Sequence, residues 1–218
     1  MTAPVRVHQF NDSLAFSRSQ RGAEWWENTY RLAFHNFQSM GGPEKDGWCE
    51  RAAVDRIVLL ASGKTIKVQE KVRKKFYPSI LLEYKTGNKN GWIAEDSDAD
   101  YLAYAMLPTG ACYLFPFPIL RSAWKTNGPL WVKEARLEEE KRLPYRDRQY
   151  QFIETNSHKD GRYWLTKSLA VPTEKVLEAV KNALFVQSVP FLFEPKVEPV
   201  KTTSMVVNHD EINWEPKY

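Results

Sequence analysis

The chain has 218 residues, 43% hydrophobic and 27% charged, with a formal net charge of +4. That length permits one sizeable core, or a core with a small appendage. No apolar run approaches the roughly 20 residues that cross a bilayer, and the opening lacks a charged-then-apolar leader pattern, so a cytoplasmic protein with no membrane partner is expected.

Cys49 and Cys112 lie far apart and outside any paired metal-ligand spacing, which reads as two reduced thiols. The histidines His8, His35, His158 and His209 are scattered, so a zinc site is not expected. The opening "MTAPVRVHQFNDSLAFSRSQ" reads as a surface arm packing through Phe10, Leu14 and Phe16. From Gly22 to Met40, Trp26, Tyr30, Ala33 and Phe37 recur at helical spacing, and Gly41-Gly42-Pro43 stops the helix. A loop through "EKDGWCERAAV" then leads to Asp55.

"VDRIVLLASGKTIKVQEKVRKK", Val54 to Lys75, predicts a β-hairpin. "SILLEYK" is a buried strand, "TGNKNG" a turn, "GWI" a short strand or turn, and "SDADYLAYAML" either helix or strand. "GACYLFPF" is a strand that ends at Pro116. "PILRSAWKTNG" is a short helix with Pro118 at its start and Gly128 past its end, and a charged helix follows from Trp131 to Leu143. "RQYQFIETN" and "RYWLTKSLAV" form a second hairpin around "SHKDG", and "PTEKVLEAVKNAL" is a closing helix. The expected division is an α/β domain over 1–185 and a Pro-rich extended tail over 186–218. Helices and strands in this order imply an α/β sandwich around a mixed sheet. "ASGKT" ends like a phosphate loop but lacks the upstream glycine and joins two strands, which excludes a nucleotide-binding loop there.

Chemistry concentrates in the first hairpin. Lys64, Lys67, Lys71, Arg73, Lys74 and Lys75 face the single acid Glu70, a density suited either to phosphates or to a solvated strand edge. With a three-residue loop at Ser62-Gly63-Lys64, Asp55 faces Lys71 with Gln69 beside it. The other face then holds Val58 on Val68, Leu60 on Ile66, and Arg56 on Glu70. A two- or four-residue loop puts Asp55 opposite Glu70 instead, where two carboxylates call for a cation between them.

Asp55 followed by a turn and Gln69-Glu70-Lys71 resembles the PD-(D/E)XK nuclease core, an acid on one strand and acid-x-Lys on the next. With "WWENTYRLAF", "RAAVDRIV", "ILLEY", "GWIAED" and "DYLAYAMLPTGACYLFPF" in order, residues from about Phe10 to Leu184 resemble a phage and prophage branch of that superfamily. The resemblance implies a restriction-endonuclease-like mixed β-sheet core flanked by helices. It also implies Mg²⁺- or Mn²⁺-dependent hydrolysis of DNA in the cytoplasm of a host cell.

Asp55 would be the central metal ligand, with Gln69, Glu70 and Glu27 as further candidates, Glu24 standing second to Glu27. Lys71 would act with Asp55 in catalysis, and Lys67, Arg73, Lys74 and Lys75 would contact DNA. Gln69 departs from the family pattern, because an amide brings no charge to the metal. A non-catalytic nucleic-acid-binding relative is therefore one alternative. Another is an interaction protein that engages a host enzyme through the tail from Pro190 to Tyr218. A homodimer is the expectation for cutting both strands. Tyr84, Trp92, Tyr101, Tyr104 and Trp124 are either base-stacking or core residues.

Overall fold

The computed structural model describes residues 7–9, 19, 24–42, 54–159, 162–181 and 183–187. The arm residues Phe10, Leu14 and Phe16, the loop with Cys49, and the tail beyond Gln187 lie outside the described residues. The chain is mixed α/β, with two mixed sheets and three helices among the described residues.

The strands in chain order are β1 (Val7–Gln9), β2 (Phe37–Gly41), β3 (Arg56–Leu60), β4 (Thr65–Arg73), β5 (Ser79–Thr86) and β6 (Lys89–Asn90). They continue with β7 (Tyr101–Met106), β8 (Ala111–Pro116), β9 (Gln151–Lys159), β10 (Arg162–Pro172) and β11 (Leu184–Gln187). The helices are α1 (Glu24–Ala33), α2 (Phe117–Glu140) and α3 (Thr173–Ala179). One sheet runs β1-β9-β10-β5-β6 and the other β11-β8-β7-β4-β3-β2. Two pairs are parallel, β1 with β9 and β4 with β7. No helix among the described residues is long and apolar enough to cross a membrane.

Alternation along the strands sorts the side chains into two cores. Ile80 and Leu82 of β5, Leu102, Tyr104 and Met106 of β7, and Leu169 and Val171 of β10 join Leu120 and Trp131 of α2 and Val176 of α3 in the larger core. On the back of the six-stranded sheet, Val58, Ile66, Val68, Ala103, Ala105 and Leu114 pack against Trp25, Trp26, Tyr30 and Phe34, which α1 and the residue after it supply. The front of that sheet is thus core over β7 and polar over β4. The boundary between those two halves carries the candidate site.

Three expectations change. The helix expected to reach Met40 ends at Ala33, and Phe37–Gly41 forms an edge strand on β3. Phe37 continues the helical spacing, but its backbone gains strand partners, and the Ala61 N–H donates to the Asn36 carbonyl at 2.8 Å. The two helices expected on either side of Gly128 are one, Phe117–Glu140. Leu120, Ala123, Gly128, Trp131 and Ala135 form one buried stripe through the break, and Gly128 fits because a Cβ there would stand 3.1 Å from the Trp124 ring. That burial offsets the cost of Pro129 inside the helix, about 3 kcal/mol. Last, α3 stops at Ala179, and Leu184–Gln187 pairs with β8, so the expected boundary at residue 185 falls within a strand.

Candidate functional site

The β3–β4 hairpin turns through Ala61-Ser62-Gly63. Gly63 has φ +80°, a conformation for which the missing Cβ suits it, and the Leu60 N–H donates to the Lys64 carbonyl at 2.9 Å. Arg56 pairs with Val68 and Val58 with Ile66, a register that sets Asp55 opposite Gln69. This is neither expected register. It lies two positions from the first, and a slip of two preserves every face. Asp55, Gln69 and Lys71 therefore share the front face, and Arg56 and Glu70 share the back.

The Asp55 N–H donates to the Val68 carbonyl at 2.8 Å, and the Glu70 N–H donates to Asp55 Oδ2 at 3.0 Å. The aspartate is thus held at the root of the hairpin by backbone on both sides. Directly behind it, Glu70 accepts from Tyr30 Oη at 2.8 Å, from Arg56 Nε at 2.9 Å and from Arg56 Nη2 at 3.3 Å. Both side chains of this ion pair are almost fully buried. Burial pushes the Glu70 carboxyl up to about 6, against the opposing pull of Arg56 and Tyr30. For Arg56, burial disfavours the charge, but the hydrogen bond and attraction to Glu70 outweigh it and hold the guanidinium charged. Burial, with Glu70 adding to it, pushes the Tyr30 hydroxyl well above its ordinary range.

Glu70, a candidate metal ligand, thus sits on the opposite face from Asp55, with its carboxylate engaged by Arg56 and Tyr30. Glu27 is on the exposed side of α1 and bonds Arg31 at 2.7 Å, and Glu24 is exposed as well. Neither joins Asp55. Among the described residues no three His, Cys, Asp or Glu side chains converge as a metal cluster.

On the front face, Gln69 is 6% exposed and its Oε1 is buried with no hydrogen-bond partner. An orphaned buried carbonyl oxygen costs about 1–3 kcal/mol, which a cation or an incoming donor would recover. A hard divalent cation takes such oxygens, and magnesium commonly combines one or two carboxylates with water and substrate phosphate. Asp55 and the Gln69 oxygen fit that donor chemistry, with neutral Gln69 lowering the charge available. Next along the strand, Lys71 is half-buried, with Nζ 5.8 Å from the centre of the Trp92 ring. The aromatic face steadies the ammonium while leaving its protons to other partners.

Of the expected DNA contacts, Lys74 and Lys75 are exposed and Lys67 is half-buried. The Lys67 N–H donates to Asp100 Oδ2 at 2.8 Å. Arg73 lies against Tyr104, its Nε donating to the phenol oxygen at 2.7 Å. The same oxygen accepts from the Leu81 N–H at 3.2 Å, so Tyr104 ties β4 to β5 across the two sheets. Trp92 and Tyr104 are core residues, and Tyr84 and Trp124 stack on one another at 5.9 Å. Tyr101 packs edge-on to Phe34. Glu83 accepts from Thr86 Oγ1 at 2.6 Å, on the β5 face opposite Ile80 and Leu82. The side chain of His158 lies outside the described residues.

Sequence reasoning paired Arg56 with Glu70 but missed Tyr30, whose helical spacing accounts for burial and not for its hydroxyl. It also passed over Phe76, an exposed aromatic at the end of a basic run.

No family profile, curated protein or solved structure matches the chain.

Proposed function

We propose that the chain is a Mg²⁺- or Mn²⁺-dependent phosphodiesterase acting on DNA. In this reading it has a restriction-endonuclease-like core of the PD-(D/E)XK kind, is of phage or prophage origin, and works in the cytoplasm of a host cell. One observation carries the reading: Asp55, Gln69 and Lys71 share one face at the root of a hairpin, and the Gln69 oxygen is buried there without a partner.

Asp55 and Gln69 would hold the cation, which supplies polarisation of a phosphoryl oxygen and acidifies a bound water. Asp55 keeps its place through the Glu70 N–H, so its carboxylate need not reorganise on binding. Lys71, steadied on Trp92, donates protons toward negative charge that develops on the phosphate. Lys67 on the same strand face adds positive charge along the path of the backbone.

Titration calorimetry with Mn²⁺ and Mg²⁺ tests the reading without a known substrate. Wild type should bind and Asp55→Asn should not; binding that survives in Asp55→Asn would sink the assignment. The second reading, a nucleic-acid binder without catalysis, is favoured by the neutral Gln69 and the absence of a three-member ligand cluster among the described residues. It predicts DNA affinity that is salt-dependent and indifferent to metal.

A further inference from the structure

We propose that Phe76 is a base-stacking contact, and that the face it serves takes DNA with unpaired bases rather than intact duplex. The inference rests on the nucleic-acid reading above and adds the substrate class to it.

The aromatics that could have stacked on bases are occupied: Trp92 and Tyr104 are buried, and Tyr84 and Trp124 lie against each other. Phe76 is different. It is 50% exposed, and it follows Lys74 and Lys75, themselves exposed. It stands three residues past the end of β4, the strand that carries Gln69 and Lys71, in the turn that leads to β5. Phe76 lies five positions beyond Lys71 in the chain, which bounds their backbone separation at about 18 Å. A strand whose phosphate lies by Lys71 can therefore bring a base to Phe76 within a few nucleotides.

An apolar ring left half exposed beside two lysines is costly to hydrate and gains nothing from lysines that only solubilise an edge. A nucleic acid complements both parts at once, because its phosphates match Lys74 and Lys75 and its bases present apolar faces to the ring. Paired bases in a duplex keep those faces covered by their neighbours. Unpaired bases expose them. Two other exposed aromatics are set differently: Tyr163 opens β10, on the other sheet from β4, and Phe185 leans on Tyr113 at 5.2 Å.

The test is fluorescence anisotropy in EDTA, which separates binding from hydrolysis. The probes are a labelled thymidine 20-mer, a blunt duplex of equal length, and a strand of the same length made of abasic sites. Phe76→Ala should weaken binding of the thymidine strand by about 5- to 150-fold, the range one base–aromatic stack supplies. The duplex and the abasic strand should be nearly unaffected. Phe76→Trp should restore the loss, and Tyr163→Ala should cause none.

Thermal melts of each variant check that it is folded. An equal loss on the abasic strand, no loss on the thymidine strand, or no binding by wild type to any probe would overturn the proposal. Metal binding is measured apart, so Phe76-dependent binding beside a failed metal titration would support this inference and sink the hydrolase reading.

Discussion

Gln69 carries a cost that the proposed metal site would explain. Its amide oxygen is buried and unpartnered, so an apolar residue of similar size should fit the site better than the amide. Gln69→Met should therefore raise stability by about 1 kcal/mol in thermal melts while weakening metal binding in calorimetry. Gln69→Glu acts in the opposite direction, setting a second carboxylate opposite Asp55: destabilising alone, tighter binding with Mg²⁺. A melt in EDTA beside one in Mg²⁺ reads both effects. For Lys71, donation toward the phosphate predicts that Lys71→Ala lowers the cleavage rate by about 10²- to 10³-fold with little change in DNA affinity. A parallel fall in affinity would make it a binding residue instead. Cys112 needs no such role, since burial holds its thiol far above the neutral range and it is inert to alkylation while folded.

At the scale of elements, α1 and the hairpin meet at Glu70. Trp26, Tyr30 and Phe34 stack successively along one helix face, with centroids 5.5 and 6.2 Å apart, and this ladder carries the Tyr30 hydroxyl to the carboxylate. Removing Arg56 would leave Glu70 as an uncompensated buried charge. Arg56→Ala should cost about 3–5 kcal/mol near pH 8 in urea melts, and the penalty should shrink near pH 5 as Glu70 takes up a proton. In wild type, folding raises the Glu70 pKa from 4.5 to about 6, so between those values the folded state holds more proton than the unfolded. The sign follows: this group's contribution is fully present below pH 4.5 and is lost as pH rises through about 6. The change is roughly 2 kcal/mol, and Glu70→Gln should remove that slope.

Across the whole molecule, the site depends on how the two sheets join. The chain leaves β4 through the Lys74–Pro78 turn and enters β5 in the other sheet, while Tyr104 bonds both strands. Gly91, after β6, makes the second close approach, where a Cβ would stand 2.3 Å from the Glu83 carbonyl oxygen. Because that neighbour is backbone, Gly91→Ala must displace the turn that carries Trp92 beneath Lys71. Overpacking of this kind costs about 1–3 kcal/mol. We expect a lower melting temperature together with a weakened Lys71 effect on cleavage; a melt unchanged from wild type would show that the turn yields freely.

The faces of the hairpin were legible from alternation alone. Any register two positions apart keeps Asp55 with Gln69 and Lys71, so the constellation was readable even though the pairing shifted from the one expected. Period-2 and period-3.6 patterns are local properties of a chain, which is why β5, β8, β10 and the apolar face of α1 could be read in advance. What lies far away in sequence decided the rest. Pairing with β3 turned Phe37–Gly41 from helix to strand, and a continuous buried stripe carried α2 through Gly128 and Pro129. Only tertiary packing could choose which aromatics are core and leave Phe76 in solvent. Burial and hydrogen-bond partners belong to contacts between segments, and no single segment contains them.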